Sequence, residues 1–252
     1  MEAEKTGMRR SNRMRFALLP ILLVGLLSAC VYSPPPLLSY GQTAETLGRG
    51  RGSASAEMGL GTHARWGSTD LDTTTKAVGG GRLRLGLSDL LDVGLVGAAG
   101  PHSAYLAGPE VKLRIVHLAD SDREGGPSFD AAWISGFAVG SALFPDEGTP
   151  APRHTYLAPY TGVLGSGGIR LVQMFLGLRL AASETLGNGE RDLTWYPTLA
   201  FGVQLRPTRL LTFFAEADLV GGITTADTGY SAVIIYPNFG LSVAFDRLWG
   251  EP

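Results

Sequence analysis

The sequence predicts an all-β fold: an antiparallel up-and-down barrel of about ten strands that crosses a membrane, with eight and twelve as the alternative counts. Three observations carry this reading. Segments of roughly 9 to 11 residues alternate apolar and polar positions, the length a tilted strand needs to cross a bilayer. The connections between them alternate between short and long. Aromatic residues gather toward the long-connection ends.

The alternation runs through residues 55–66, 76–85, 91–99, 108–117, 129–141, 155–164, 169–181 and 233–245, and through the two strands of a hairpin at 198–220. The hairpin is the clearest. Leu199, Phe201, Val203 and Leu205 share one face; after the turn at Pro207-Thr208 come Leu211, Phe213, Ala215, Ala217 and Leu219, with Thr212, Phe214, Glu216 and Asp218 on the other face. The segment at 155–164 alternates least well, and Pro159 within it removes a ladder donor.

Short connections include 88–90, 166–168 and 207–208, whereas 67–75, 142–153, 182–193 and 221–231 are long. That asymmetry is the layout of an outer-membrane barrel, with its longer loops outside. Two connections depart from it, a long one at 118–128 and a short one at 100–103. The four long loops hold eight acids against Arg153 and Arg191. Trp66, Tyr105, Tyr156, Trp195, Tyr196 and Tyr236 lie toward the long-loop ends, where a headgroup girdle is expected.

The N-terminus reads as an export signal. Arg9, Arg10, Arg13 and Arg15 precede an apolar run over residues 16–27, which is shorter than the roughly 20 residues of a spanning helix and contains Pro20. Glu2 and Glu4 interrupt the basic region and leave Met1, Met8 and Met14 as alternative starts. The run ends in Leu27-Ser28-Ala29-Cys30, which resembles the lipobox of bacterial lipoproteins. The resemblance implies cleavage before Cys30 and a diacylglycerol on its thiol. Cys30 is the only cysteine, so no intrachain disulfide is available.

In the terminal segment, Asn238, Gly240, Val243 and Phe245 resemble the assembly signal of outer-membrane barrels, followed here by seven further residues. The expected organisation is a signal peptide at 1–29, a lipid anchor and Pro-rich linker at 30–52, a barrel at 53–245 and a tail at 246–252. Ser33-Pro34-Pro35-Pro36 makes the linker semi-rigid. Removing the signal takes five of the 21 bases and two of the 23 acids, leaving 16 against 21. A formal charge of −5 disfavours nucleic acid as a partner.

Chemistry-bearing motifs are sparse. Gly165-Ser166-Gly167-Gly168 lacks the βαβ frame and the acid of a dinucleotide loop, and reads as a tight turn. Gly79-Gly80-Gly81 lacks the Lys-Ser/Thr of a phosphate loop and reads as a place for small side chains inside a barrel. His63, His102, His117 and His154 show no metal-ligand spacing, so neither a metal nor a cofactor is expected beyond the acyl groups on Cys30. If the apolar faces meet lipid, the lumen receives Glu57, Arg65, Arg82, Arg84, Asp92, Glu110, Lys112, Arg114, Asp130, Arg179, Arg206, Glu216 and Asp218. Charges of both signs there can satisfy one another without water.

The expectation is thus a lipid-anchored barrel in the outer membrane of a Gram-negative bacterium, nearly filled by its own side chains and not a wide pore. Its role is structural or interactive, or minor solute passage. Its partners are outer-membrane lipids, lipopolysaccharide and the lipoprotein-processing and barrel-assembly machineries; the oligomeric state is open. Two other classes remain. A lipid-anchored soluble barrel, as in bacterial lipocalins, would put the apolar face inside around a ligand. A barrel-embedded hydrolase would be similar to the omptin proteases or lipid A deacylases, but no motif here matches either.

Overall fold

Alternation of period two, carried through ten segments, closes the sheet on itself. The strands are β1 (Gly52–His63), β2 (Thr74–Gly86), β3 (Leu91–Ala99), β4 (Tyr105–Ala119), β5 (Ser128–Leu143), β6 (Arg153–Gly168), β7 (Val172–Gly187), β8 (Glu190–Leu205), β9 (Leu211–Thr224) and β10 (Ser231–Phe245). Each pairs antiparallel with its neighbours in sequence, and β10 pairs with β1 to close the barrel. This computed structural model divides into two units, Met1–Cys30 and Val31–Pro252. It describes residues 40–63, 74–100, 104–119, 126–143, 153–187, 190–224 and 231–245. Leu27, Ser28, Ala29, Cys30, Arg65, Trp66 and the tail at 246–252 lie outside the described residues.

The pleat sorts the side chains. Leu83, Leu95, Ile115, Met174, Leu176, Leu178, Phe201, Phe213, Ile235 and Phe239 stand on the outer surface and are exposed, whereas Arg82, Asp92, Glu110, Lys112, Asp130, Arg179, Glu216 and Asp218 are buried inside. A soluble barrel has the reverse arrangement, because each large apolar side chain left in water forgoes about 1.5–3 kcal/mol. A lumen lined by charge does not match the apolar interior of the lipocalin-like alternative.

Three details differ from the sequence reading. The short turn falls at residues 169–171, closed by Ile169 N–H donating to Val172 O, and 166–168 belong to β6. Strand β7 therefore begins at Val172, not Ile169. Residues 182–193 are mostly strand: β7 runs to Gly187 and β8 starts at Glu190. Finally, Tyr156, Tyr196 and Tyr236 are buried in the lumen rather than standing in a headgroup girdle. They share the inward parity of Tyr160, Thr198 and Asn238, and the pleat overrides any preference of a tyrosine ring for an interface. Tyr105 and Trp195 do face outward.

Four prolines punctuate the even strands. At Pro109, Pro159, Pro197 and Pro237 the ladder to the following strand skips two residues: 108–109 opposite 137–138, 158–159 opposite 182–183, 196–197 opposite 221–222, and 236–237 opposite 60–61. A missing N–H on one strand leaves its partner without a bond there. On the other side of each proline the pairing is continuous.

Candidate functional site: an occupied lumen

Residues 40–51, part of the expected linker, enter the barrel. Tyr40 lies against the mid-strand positions Gly162 and Gly177, and Thr46 and Leu47 reach Asp89 and Asp92 beside the β2–β3 turn. The segment therefore descends from the middle of the lumen to its short-turn rim. There Gly50 N–H donates to Gly86 O (2.8 Å) and Gly86 N–H to Arg51 O (2.9 Å), leading directly into β1.

The lumen holds this segment mainly by its backbone. The Glu216 carboxylate accepts the N–H groups of Tyr40 (2.8 Å) and Gly41 (2.7 Å). Ser166 Oγ accepts from Ala44 N–H at 3.0 Å, and Asp92 accepts from Leu47 N–H at 3.1 Å. Lys112 Nζ donates to Thr43 O at 3.2 Å and also to Glu45 O. Hydrogen bonds to charged groups contribute about 1.5–3 kcal/mol each, so this set outweighs the packing of so polar a segment.

Two side chains of the segment set its position. The Tyr40 ring lies 5.1 Å beneath the Arg179 guanidinium. Burial raises the Tyr40 hydroxyl above its ordinary value, offset in part by Arg179, and keeps it neutral. A Cβ at Gly177 would come within 2.6 Å of this ring and one at Gly162 within 2.5 Å of its hydroxyl, so both glycines make the room it occupies. Gly41 takes φ +52, and a Cβ there would meet Glu57 Oε2 at 2.7 Å. Burial pushes the Glu45 carboxyl up, but the charge of Arg206 and its hydrogen bond, with Lys112, outweigh this and hold it below its ordinary value.

The wall charges also pair among themselves. Arg82 lies 3.3 Å from Glu57 and 3.5 Å from Glu110; Lys112 lies 3.5 Å and Arg84 3.8 Å from Asp92. Arg114 lies 3.7 Å from Asp130. Glu110 additionally accepts from the Tyr160 hydroxyl (2.9 Å) and from Gln42 of the inner segment (3.2 Å). In β10, Asn238 is buried and donates to Asp218 at 3.1 Å, while Phe245 faces outward. The polar and aromatic ends of the terminal motif thus meet different surroundings. Of the three consecutive glycines, Gly80 is the one beside a lumen carboxylate: a Cβ there would meet Glu57 Oε1 at 2.8 Å.

The fold also brings together groups that the sequence kept apart. His117 Nδ1 lies 2.8 Å from Asp130, which stands opposite Ser166 in register. The order is hydroxyl, carboxylate, imidazole, and Ser166 Oγ is engaged by Ala44, so no imidazole activates a hydroxyl here. Among the described residues, no group of three or more His, Cys, Asp or Glu is placed to hold a metal. The inner segment itself is what sequence reasoning missed. Its side-chain hydrogen bonds span 42 to 176 residues, and it carries no periodicity.

No family model matches the chain, and no curated protein matches it in sequence. Among solved structures, the outer membrane protease OmpT of Escherichia coli aligns at 12% identity over 81% of this chain and 100% of its own, with a TM-score of 0.41. An outer membrane channel of Pseudomonas putida F1 aligns at 12% identity over 83% and 100%, with a TM-score of 0.43. The attachment invasion locus protein Ail of Yersinia pestis aligns at 15% over 78% and 99%, with a TM-score of 0.30.

Proposed function

We propose that the protein is an outer-membrane barrel of a Gram-negative envelope, tethered in addition by acyl chains on Cys30. Its lumen is closed by its own residues 40–50, so its role is structural or interactive rather than that of an open pore. Outer-membrane lipids and lipopolysaccharide are its surroundings, and the lipoprotein-processing and barrel-assembly machineries deliver it. The observation that carries this reading is the pairing of an apolar outer wall with a charged lumen whose groups are spent on an internal segment.

The test has two parts. Cys30→Ala should lose acyl labelling yet resist carbonate extraction and keep heat-modifiable gel mobility, since insertion comes from an apolar band about 25 Å tall and not from the anchor. The mature chain in planar bilayers should pass little current. A Cys30→Ala protein that becomes soluble, or a parent that conducts as an open channel, overturns the proposal.

A further inference from the structure

The inner segment leans to one side. Between Thr43 and Leu47 its main chain is held by Asp92 of β3, Lys112 of β4 and Ser166 of β6. On the other side, against β8–β10, β1 and β2 at the short-turn end, it leaves a cavity of about 180 Å³. The space exists because the wall there is built from short side chains. Arg82, Ser55, Ser242 and Thr212 stand opposite one another in register across β2, β1, β10 and β9, and Ser53 stands opposite Arg84 one pleat nearer the rim.

The composition of this lining is one-sided. Five arginines border the cavity and one acid does. Glu45 is bound by Arg206, and Arg82 and Arg84 pair with Glu57, Glu110 and Asp92 behind the lining, so the charge offered to an anion is smaller than the number of arginines. Arg82 stands at the β2 end of the hydroxyl row, Arg84 lies one pleat nearer the rim, and Arg51 and Arg209 at the mouth are exposed. Guanidinium forks combined with hydroxyl donors match the several oxygens of a tetrahedral oxyanion better than the two of a carboxylate. The volume lies below the roughly 300 Å³ at which ligand pockets for larger molecules begin, and suits one phosphate group with little attached inside.

We propose that this cavity binds a phosphate group, either free or borne as the headgroup of a lipid whose chains remain outside. The row of hydroxyls contacts the oxygens from one side, and Arg209 and Arg51 close over them from the mouth. Residues 41–47 form the remaining wall, so the site exists only while the inner segment is in place.

The experiment uses the full mature chain folded in a non-ionic detergent, titrated calorimetrically with inorganic phosphate and, separately, with short-chain phosphatidic acid. Saturable heat with either probe is expected. Arg209→Ser should weaken binding about tenfold, and Ser55→Leu, which fills the cavity, should remove it. Heat-modifiable mobility reports the folding of each variant, with Arg51→Ser and Ser242→Leu as replacements for any that fails. Saturation by phosphatidic acid alone identifies the headgroup as the ligand, and saturation by inorganic phosphate identifies the free ion. No saturation by either probe, or equal affinity in folded variants and parent, overturns the proposal.

Discussion

The two ends of the lumen solve the problem of filling a barrel differently. Toward the short turns the walls carry Arg82, Arg84, Asp92, Glu110, Lys112, Asp130 and Glu216, gathered around a chain segment whose amides and carbonyls Asp92, Lys112 and Glu216 bind. Toward the long loops the described inward residues are mostly apolar or aromatic, among them Val96, Ala98, Leu106, Ala138, Tyr156, Ala158, Tyr196, Val220 and Tyr236, with Ser141 and Ser183 beside them and Asp218 at the boundary opposite Tyr236, and they fill space by contact. Charge is concentrated where there is backbone to satisfy. A buried ion without partners is costly, so the charged end depends on its occupant in a way the packed end does not.

The largest effect is expected at Lys112, which is fully buried between Asp92 and the carbonyls of Thr43 and Glu45. Lys112→Met leaves those groups without their donor and should destabilise the barrel by about 3 kcal/mol or more, read as a lowered urea midpoint for heat-modifiable protein. Phe213 is 45% exposed on the outer face. Phe213→Lys should cost about 2–4 kcal/mol in lipid bilayers near the midplane. A tolerated lysine there would mean that this face does not meet hydrocarbon.

Glu216→Gln is milder for the fold, since one acceptor oxygen remains. The amide keeps one of the two bonds in neutral form and turns its NH2 toward the other N–H, which loses its acceptor, so the hold on Tyr40 and Gly41 should weaken by about 2 kcal/mol. The expected sign is brief openings in bilayer recordings with little change in unfolding. Unaltered recordings would show that Glu216 does not hold the segment closed.

Acid should act through Glu45. Its folded value is depressed, so its contribution is complete above the ordinary carboxylate range and is lost as pH falls through the folded value. Openings should therefore appear only at pH below the ordinary carboxylate range and not between pH 5 and 8. At the packed end, Tyr236→Phe keeps the ring and should change stability by no more than about 0.5 kcal/mol. An effect there as large as that of Lys112→Met would erase the distinction between the two ends.

Much of this was legible from alternation alone. Once one face of Leu199–Leu205 and Phe213–Leu219 is assigned to lipid, parity sends Arg82, Glu110, Lys112 and Glu216 inward, and the structure places them there. Strand ends were less legible. Beyond the apolar band both faces are polar, as at Glu184, Thr185 and 190–192, so the pattern fades while the ladder continues. The inner segment was not legible at all. Tyr40 to Gly50 is polar and glycine-rich like any linker, and what distinguishes it is a set of partners scattered over most of the chain.

The placement of the four prolines divides the barrel into parts. The pairs β1–β2, β3–β4, β5–β6, β7–β8 and β9–β10 all have continuous ladders. The gaps fall at the junctions β4–β5, β6–β7, β8–β9 and β10–β1. The ladder of β2–β3 is also continuous, so the cylinder is one intact four-strand sheet, β1–β4, and three intact hairpins joined along four interrupted seams. Amide hydrogens bordering those seams, such as those of Phe137, Ala182, Gly221 and Leu60, should exchange with solvent deuterium ahead of those between them, and the wall should open along those four seams, with β1–β4 moving as one piece.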